Sequence, residues 1–275
     1  MSSKQLCVTT YVYGNYKKFI PYYVYSILKS YPHYFVKIFV NGQLSTNEHA
    51  SLERIKQQLS KNVEIKETKL LKRVSLANEG KARRFLLPAS EFAGFDYVYI
   101  GDVDFLIIKE DTPLLEGHIK HCQKIGLPYS NQIRPQSKRL TGLHFIKTKE
   151  YYKKMDSLIA YYLERPEKIE EAFRTGIRDE EFLYNLVAKR IGFGDIDKHH
   201  YRPHHGFHLG ILRNGPDHFK NYVEQGHTNP YHQLPPYRSL KKSLLAFYQD
   251  RLFTEIKNLV PTKEIHLLGQ LLKQH

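Results

Sequence analysis

The sequence predicts an α/β fold: a mostly parallel sheet with helices on its faces and a helical appendage at the C-terminal end. Three observations predict it. The first third of the chain alternates short apolar runs with segments of helical period, in the order strand, helix, strand, helix, strand. An acid pair follows a later apolar run, where an open sheet places its ligands. The chain has 275 residues, 41% of them hydrophobic, enough for a full core in one large domain.

Leu6 to Tyr13 reads as a first strand, ended at Gly14-Asn15. Phe19, Tyr23, Ile27 and Tyr31 then mark the inner face of a helix that Pro32 closes. Phe35 to Val40 is a second buried strand, stopped at Asn41-Gly42. Ser45 and Glu48 have capping-box spacing, and Leu52, Ile55 and Leu59 continue that helix along one face. Val63 and Ile65 open a third strand. Gly80 to Phe92 reads as a short helix leading to the next strand, with Arg83 and Arg84 near its start and Pro88 limiting its length. Adjacent arginines are more often solvated than functional, but here one can reach a sugar or phosphate oxygen with its planar fork.

The chemistry centres on Phe95 to Lys109, FDYVYIGDVDFLIIK. The strand pattern Tyr97 to Ile100 breaks at Gly101, presents Asp102 and Asp104 one residue apart, and returns to an apolar run, Phe105 to Ile108. Carboxylates this close repel unless a cation or a shared proton offsets them, and a hard divalent ion bound through oxygen is the usual answer. A turn acid beside an N-cap acid is the plain alternative.

Downstream, Pro113 to Lys124 reads as a helix, Ile125 to Tyr129 as a short strand and Gly142 to Lys147 as another. Between the last two lies a polar loop, Ser130 to Lys138, whose Asn131, Gln132 and Arg134 are candidate substrate contacts. The next helix turns Tyr151, Met155, Ile159 and Tyr162 inward. A further helix opens with Asp179-Glu180-Glu181, acids that also complement its dipole. His199, His200, His204, His205 and His208 crowd ten residues, and a surface loop or a metal ligand are the two readings. After Pro230, Pro235 and Pro236, a single basic amphipathic helix carries Leu240, Leu244, Tyr248, Leu252 and Ile256 on one face. Lys241, Lys242, Arg251 and Lys257 lie on the other. Past Pro261 a short piece carries Leu267, Leu268, Leu271 and Leu272. Such a tail docks on an anionic membrane surface, packs on its parent domain or pairs in a dimer.

Lysine and arginine total 42 against 28 acids, and the net charge of +14 implies a polyanionic neighbour. Nucleic acid, anionic lipid headgroups and anionic or diphosphate substrates all fit; the charge is spread and lacks a basic-aromatic repeat, so charge alone does not choose among them. Cys7 and Cys122 lie far apart without C-x-x-C spacing, so neither a disulfide framework nor a zinc site is indicated. No run reaches the roughly 18 apolar residues of a membrane span, and the start lacks an apolar signal segment. The expected location is the cytoplasm, or the inner face of a membrane if the tail docks there.

In order and spacing, several motifs resemble those of nucleotide-sugar glycosyltransferases of the GT-A class, and within it the family 8 group. They are Arg84-Phe-Leu-Leu-Pro88, Asp102-Val-Asp104, Thr141-Gly142-Leu-His-Phe-Ile, Asp179-Glu180-Glu181, and His208-Leu-Gly210 with Arg213 three residues on. The likeness spans about residues 6 to 215, implying a GT-A-like catalytic domain over 1–215 and leaving 216–275 as a basic amphipathic extension. It implies Mn²⁺ or Mg²⁺ on Asp102, Asp104 and His208, with the diphosphate of a UDP-sugar completing the shell. Thr10, Tyr11, Tyr13, Arg84, Asp102, Val103 and Arg213 would then meet the nucleotide and diphosphate. Asp179, Glu180 and Arg84 would act at the reacting sugar. Asn131, Gln132 and Arg134 would touch the acceptor, a glycan or a lipid-linked sugar. Family 8 enzymes retain anomeric configuration, but no carboxylate here is assigned as a nucleophile.

Two rivals remain. A haloacid dehalogenase-like phosphatase also places D-x-D at a strand end, but near the N-terminus and without a use for the histidines. A non-enzymatic nucleic-acid-binding protein fits the charge and predicts salt-sensitive affinity that survives loss of Asp102 and Asp104. The expected function is UDP-hexose transfer in the assembly of a bacterial-type surface polysaccharide, such as lipopolysaccharide or capsule.

Overall fold

A computed structural model describes residues 5–67, 77–199, 206–214 and 238–274. His200, His204, His205, Pro230, Pro235 and Pro236 lie outside the described residues.

Strand β1 (Leu6–Val12) is buried along its whole length. It pairs in parallel with β2 (Phe35–Val40) on one side and with β4 (Tyr97–Ile100) on the other. β3 (Val63–Glu67) adds a parallel edge beside β2. Beyond β4, β7 (His144–Lys147) runs antiparallel to β4 and β6 (Tyr129–Ser130) antiparallel to β7, giving the order β3-β2-β1-β4-β7-β6. The chain steps outward from β1 to β3, then returns to the other side of β1 for β4. That reversal opens a crevice at the carboxyl ends of β1 and β4, where ligands bind in sheets of this kind. β5 (Phe105–Ile107) leaves the main sheet and pairs antiparallel with β8 (Gly206–His208).

Alternate residues of β1 feed two cores. Leu6, Val8 and Val12 pack on one side with α1 (Ile20–Ser30) and α2 (Thr46–Gln58), and Cys7 and Tyr11 on the other. The capping box forms: the Ser45 hydroxyl accepts from the Glu48 amide, and the Glu48 carboxylate accepts from the Ser45 amide at 2.7 Å. On the second face lie α3 (Ala77–Ala82), α5 (Thr148–Glu164), α6 (Pro166–Arg174) and α7 (Asp179–Arg190), while α4 (Leu114–Ile125) packs mostly on the first. Tyr151, Met155, Ile159 and Tyr162 are buried as their spacing predicts.

Several elements differ from the sequence reading. The helix expected over 80–92 is instead the end of α3 followed by two 3-10 turns, Arg83–Leu86 and Ala89–Phe92, separated because Pro88 adopts extended backbone. Arg83 and Arg84 are both buried rather than solvated. Ile125 ends α4 and is not in a strand; Gly126, with φ of 66°, turns the chain there. β7 starts at His144, two residues after the expected Gly142. Helix α6 has no counterpart in the reading, since its nine residues bury only Ile169 and Phe173.

The apolar period from Leu240 to Ile256 is not one helix. It divides at Asp250 into α8 (Arg238–Gln249) and α9 (Arg251–Leu259), with α10 (Lys263–Gln274) after them. The Asp250 carboxylate caps α9, accepting from the Leu252 amide at 2.7 Å. Its apolar partners, with those of α10, join the core around α1: Tyr25 meets Phe247 and Phe253, and the Tyr22 hydroxyl donates to the Val260 carbonyl at 2.6 Å. The face left open by the sequence to a membrane or a dimer is thus covered by the parent domain. Among the described residues no helix is long and apolar enough to cross a membrane.

Asp250 also pairs with Lys29 of α1, which fastens the break to the domain. Burial pushes its carboxyl up, but the Lys29 ammonium and the cap amides outweigh this and hold it below its ordinary value. Asp250→Ala should lower stability by about 1–2 kcal/mol near neutral pH. A carboxyl depressed in the folded state stabilises above its unfolded pKa of about 3.9 and ceases to as pH falls through the folded value. Urea unfolding of both proteins should therefore show the gap narrowing below about pH 4.

Candidate active site

A cavity of about 220 Å³ opens at the reversal between β1 and β4. Thr10, Tyr11, Val12 and Tyr13 enter it from the end of β1, and Asp102, Val103 and Asp104 from the turn after β4. Arg84, Asp179, Glu180, His208 and Arg213 complete most of its wall. Every residue that the family likeness offered for donor, metal or catalysis lines this one cavity. Tyr16, Lys81 and Val12 line it too and were not foreseen.

The short ladder between β5 and β8 joins the acid pair to the late histidine. Phe105 pairs with His208, and the Leu209 amide donates to the Asp104 carbonyl at 2.8 Å. Gly206 is required in that ladder, because a Cβ there would fall 1.9 Å from the Leu106 carbonyl oxygen. His208 Nε2 thereby stands 3.2 Å from Asp104 Oδ1, and Arg213 Nη2 lies 3.1 Å from Oδ2. Burial pushes the Asp104 carboxyl up, but His208 and Arg213 overcome this and hold it at about 2. The same contact raises the His208 imidazole against the effect of its own burial. Arg213 also faces the Tyr16 ring and lies 3.8 Å from Glu264 of α10, so the C-terminal helices reach the cavity wall.

Arg84 joins the other two acids. Its Nη1 donates to Asp102 at 2.5 Å and its Nη2 to Asp179 at 3.0 Å. Gly142 permits this approach: a Cβ there would meet Arg84 Nη2 at 2.7 Å and Asp102 Oδ2 at 3.0 Å. Asn131 is fully buried, and its carbonyl accepts from the Thr141 amide at 3.0 Å and hydroxyl at 2.8 Å. It therefore shapes the Thr141-Gly142 turn instead of facing an acceptor, and Gln132 is buried beside it. Arg134 remains at the cavity, bound to Glu180 at 2.5 Å.

The donor set suits a hard divalent ion, with two carboxylates and an imidazole in one cavity. Among the described residues no three His, Cys, Asp or Glu side chains already converge on one point. Asp104 and His208 do meet, while Asp102 turns to Arg84.

No family model and no curated protein matches the chain. Solved structures do. The galactosyltransferase LgtC, in complex with donor and acceptor sugar analogs, superposes with a TM-score of 0.53 at 13% identity, over 96% of this chain and 99% of that one. The apo form of the glycosyltransferase GlyE of Streptococcus pneumoniae TIGR4 gives 0.50 at 14% identity, over 98% of this chain and 64% of that one. The chain shares the GT-A-like fold of these proteins.

Removing one partner of a buried ion pair leaves an uncompensated charge. Arg84→Ala, which strands two carboxylates, should cost about 3–5 kcal/mol in urea unfolding. The double variant Arg84→Ala/Asp179→Ala should lose less than the sum of its single changes, because the two residues are directly coupled.

Proposed function

We propose that the protein is a metal-dependent glycosyltransferase that moves a hexose from a UDP-sugar to a glycan or lipid-linked acceptor. The observation that carries the reading is the meeting of Asp104 with His208 in the cavity that also holds Asp102, at the reversal of the sheet. Asp102, Asp104 and His208 would hold Mn²⁺ or Mg²⁺, which when bound neutralises charge developing on a departing diphosphate. The likeness to LgtC, solved with donor and acceptor analogs, supports a cavity for two substrates.

The chain's own residues take the remaining roles. Arg213, half-exposed beside Asp104, gives the diphosphate a charge-assisted donor. Thr10, Tyr11, Tyr13 and Val103 wall the space for uracil and ribose. Arg84 keeps Asp102 and Asp179 fixed, and Asp179 orients the donor sugar. Glu180 holds Arg134 at the acceptor side. Residues 1–215 form the catalytic domain, and the described helices of 216–275 brace it through Arg213. The net charge of +14 suits an enzyme of surface polysaccharide assembly at the cytoplasmic face of a membrane.

Release of UDP from a panel of UDP-hexoses, measured with Mn²⁺ and with excess chelator, tests this reading. At least one donor should give turnover that chelator abolishes and that Asp104→Asn reduces by about 100-fold or more. Equal turnover in chelator would exclude it.

A further inference from the structure

The segment between β6 and β7 carries charge that donor binding does not use. Ile133 and Leu140 pair as an antiparallel bridge, and the Arg134 amide donates to the Arg139 carbonyl at 2.8 Å. The Ser137 hydroxyl donates to the Arg134 carbonyl at 3.0 Å. Gln136, at the tip, has φ of 50°, the left-handed geometry of a tight turn. The polar loop of the sequence is therefore a closed hairpin. It contains Arg134, Lys138 and Arg139 and no acid.

One carboxylate, that of Glu180, answers two of these cations, Arg134 and Arg139. The hairpin rests on the first turn of α7, where the Leu140 amide donates to the Glu180 carbonyl at 3.2 Å. Glu180 accepts from Arg134 Nη2 at 2.5 Å, and Arg139 Nη1 lies 3.9 Å from its second oxygen. Arg134 forms part of the cavity wall with its side chain 41% exposed, and its Nε has no partner. Lys138 is exposed. Arg213 and the metal ligands serve the donor diphosphate, and Arg84 is engaged by Asp102 and Asp179. Arg134 of the hairpin and Lys81 are the cavity cations left for whatever enters second.

We propose that the hairpin binds the acceptor through an anionic group, so that the acceptor is a phosphate- or carboxylate-bearing sugar. Arginine forks bind both anions in a bidentate manner, and two guanidiniums on one carboxylate repel one another until a second anion arrives. A neutral sugar would leave that repulsion standing. The inference rests on the transferase reading for the word acceptor, while the anion site itself rests on the hairpin.

Calorimetric titration of the full chain, saturated with UDP and Mn²⁺ so that the donor cations are occupied, tests it with three probes. These are glucose 1-phosphate, methyl glucuronide and neutral methyl glucoside. At least one anionic probe should bind tenfold or more tightly than the glucoside, and the better of the two names the source of the charge. Lys138→Gln/Arg139→Gln should erase that preference. Lys138→Glu, a change at an exposed position, should weaken it severalfold and serves if the double variant does not fold. UDP binding with no preference for either anion would overturn this inference alone. Absence of UDP binding, with the anion preference kept and lost in Lys138→Glu, would overturn the transferase reading and support the hairpin as an anion site.

Discussion

Four carboxylates, Asp102, Asp104, Asp179 and Glu180, line one small cavity, and much of the fold around them serves to bring each a cation. Unpaired acids so close together would repel and take up protons. Arg84, in the 3-10 turn after α3, reaches Asp102 and Asp179 together. His208 and Arg213 reach Asp104 only because β8 pairs with β5. Arg134 and Arg139 reach Glu180 because the 133–140 hairpin closes on α7. These five cations come from three segments, and each segment is fixed by backbone pairing or by a glycine at a contact too tight for a side chain.

This balance links structure to the proposed chemistry. A cavity whose acids are already paired can accept a divalent ion and a diphosphate together, because the incoming charges cancel. On the proposed reading His208 would stay with the metal, and Arg213 would turn from the carboxylate to the phosphate oxygens. The C-terminal helices belong to the same device. α10 places Glu264 beside Arg213 and Lys18, and Asp250 ties α9 to Lys29. The tail thus supports one wall of the site as well as covering α1.

The parallel part of the sheet was legible because its strands are short apolar runs separated by helical periods, patterns that burial alone imposes. The acid pair was legible for the same reason, as polar residues where a buried run stops. His208 could be singled out among its neighbours only by likeness to known motifs, since nothing local distinguishes it from His204 or His205. Less was legible where a tertiary contact decided the local form. The period from Leu240 to Ile256 reads as one helix because both pieces face the same core, and the aspartate at the break, which caps the next helix locally, is held by a lysine on the distant α1. Asn131 looked like a surface donor because the sequence does not show that Thr141 returns to it. Arg83 looked solvated because its partner Glu79 precedes it by one turn in a segment with no clear period.

On the proposed function, the acids of this cavity recruit a metal and a nucleoside diphosphate jointly. Calorimetric titration of UDP into the purified protein, with Mn²⁺ and then with chelator, tests it most directly. The account predicts binding with Mn²⁺ that weakens at least tenfold in chelator. UDP affinity that is the same with and without Mn²⁺ would contradict it.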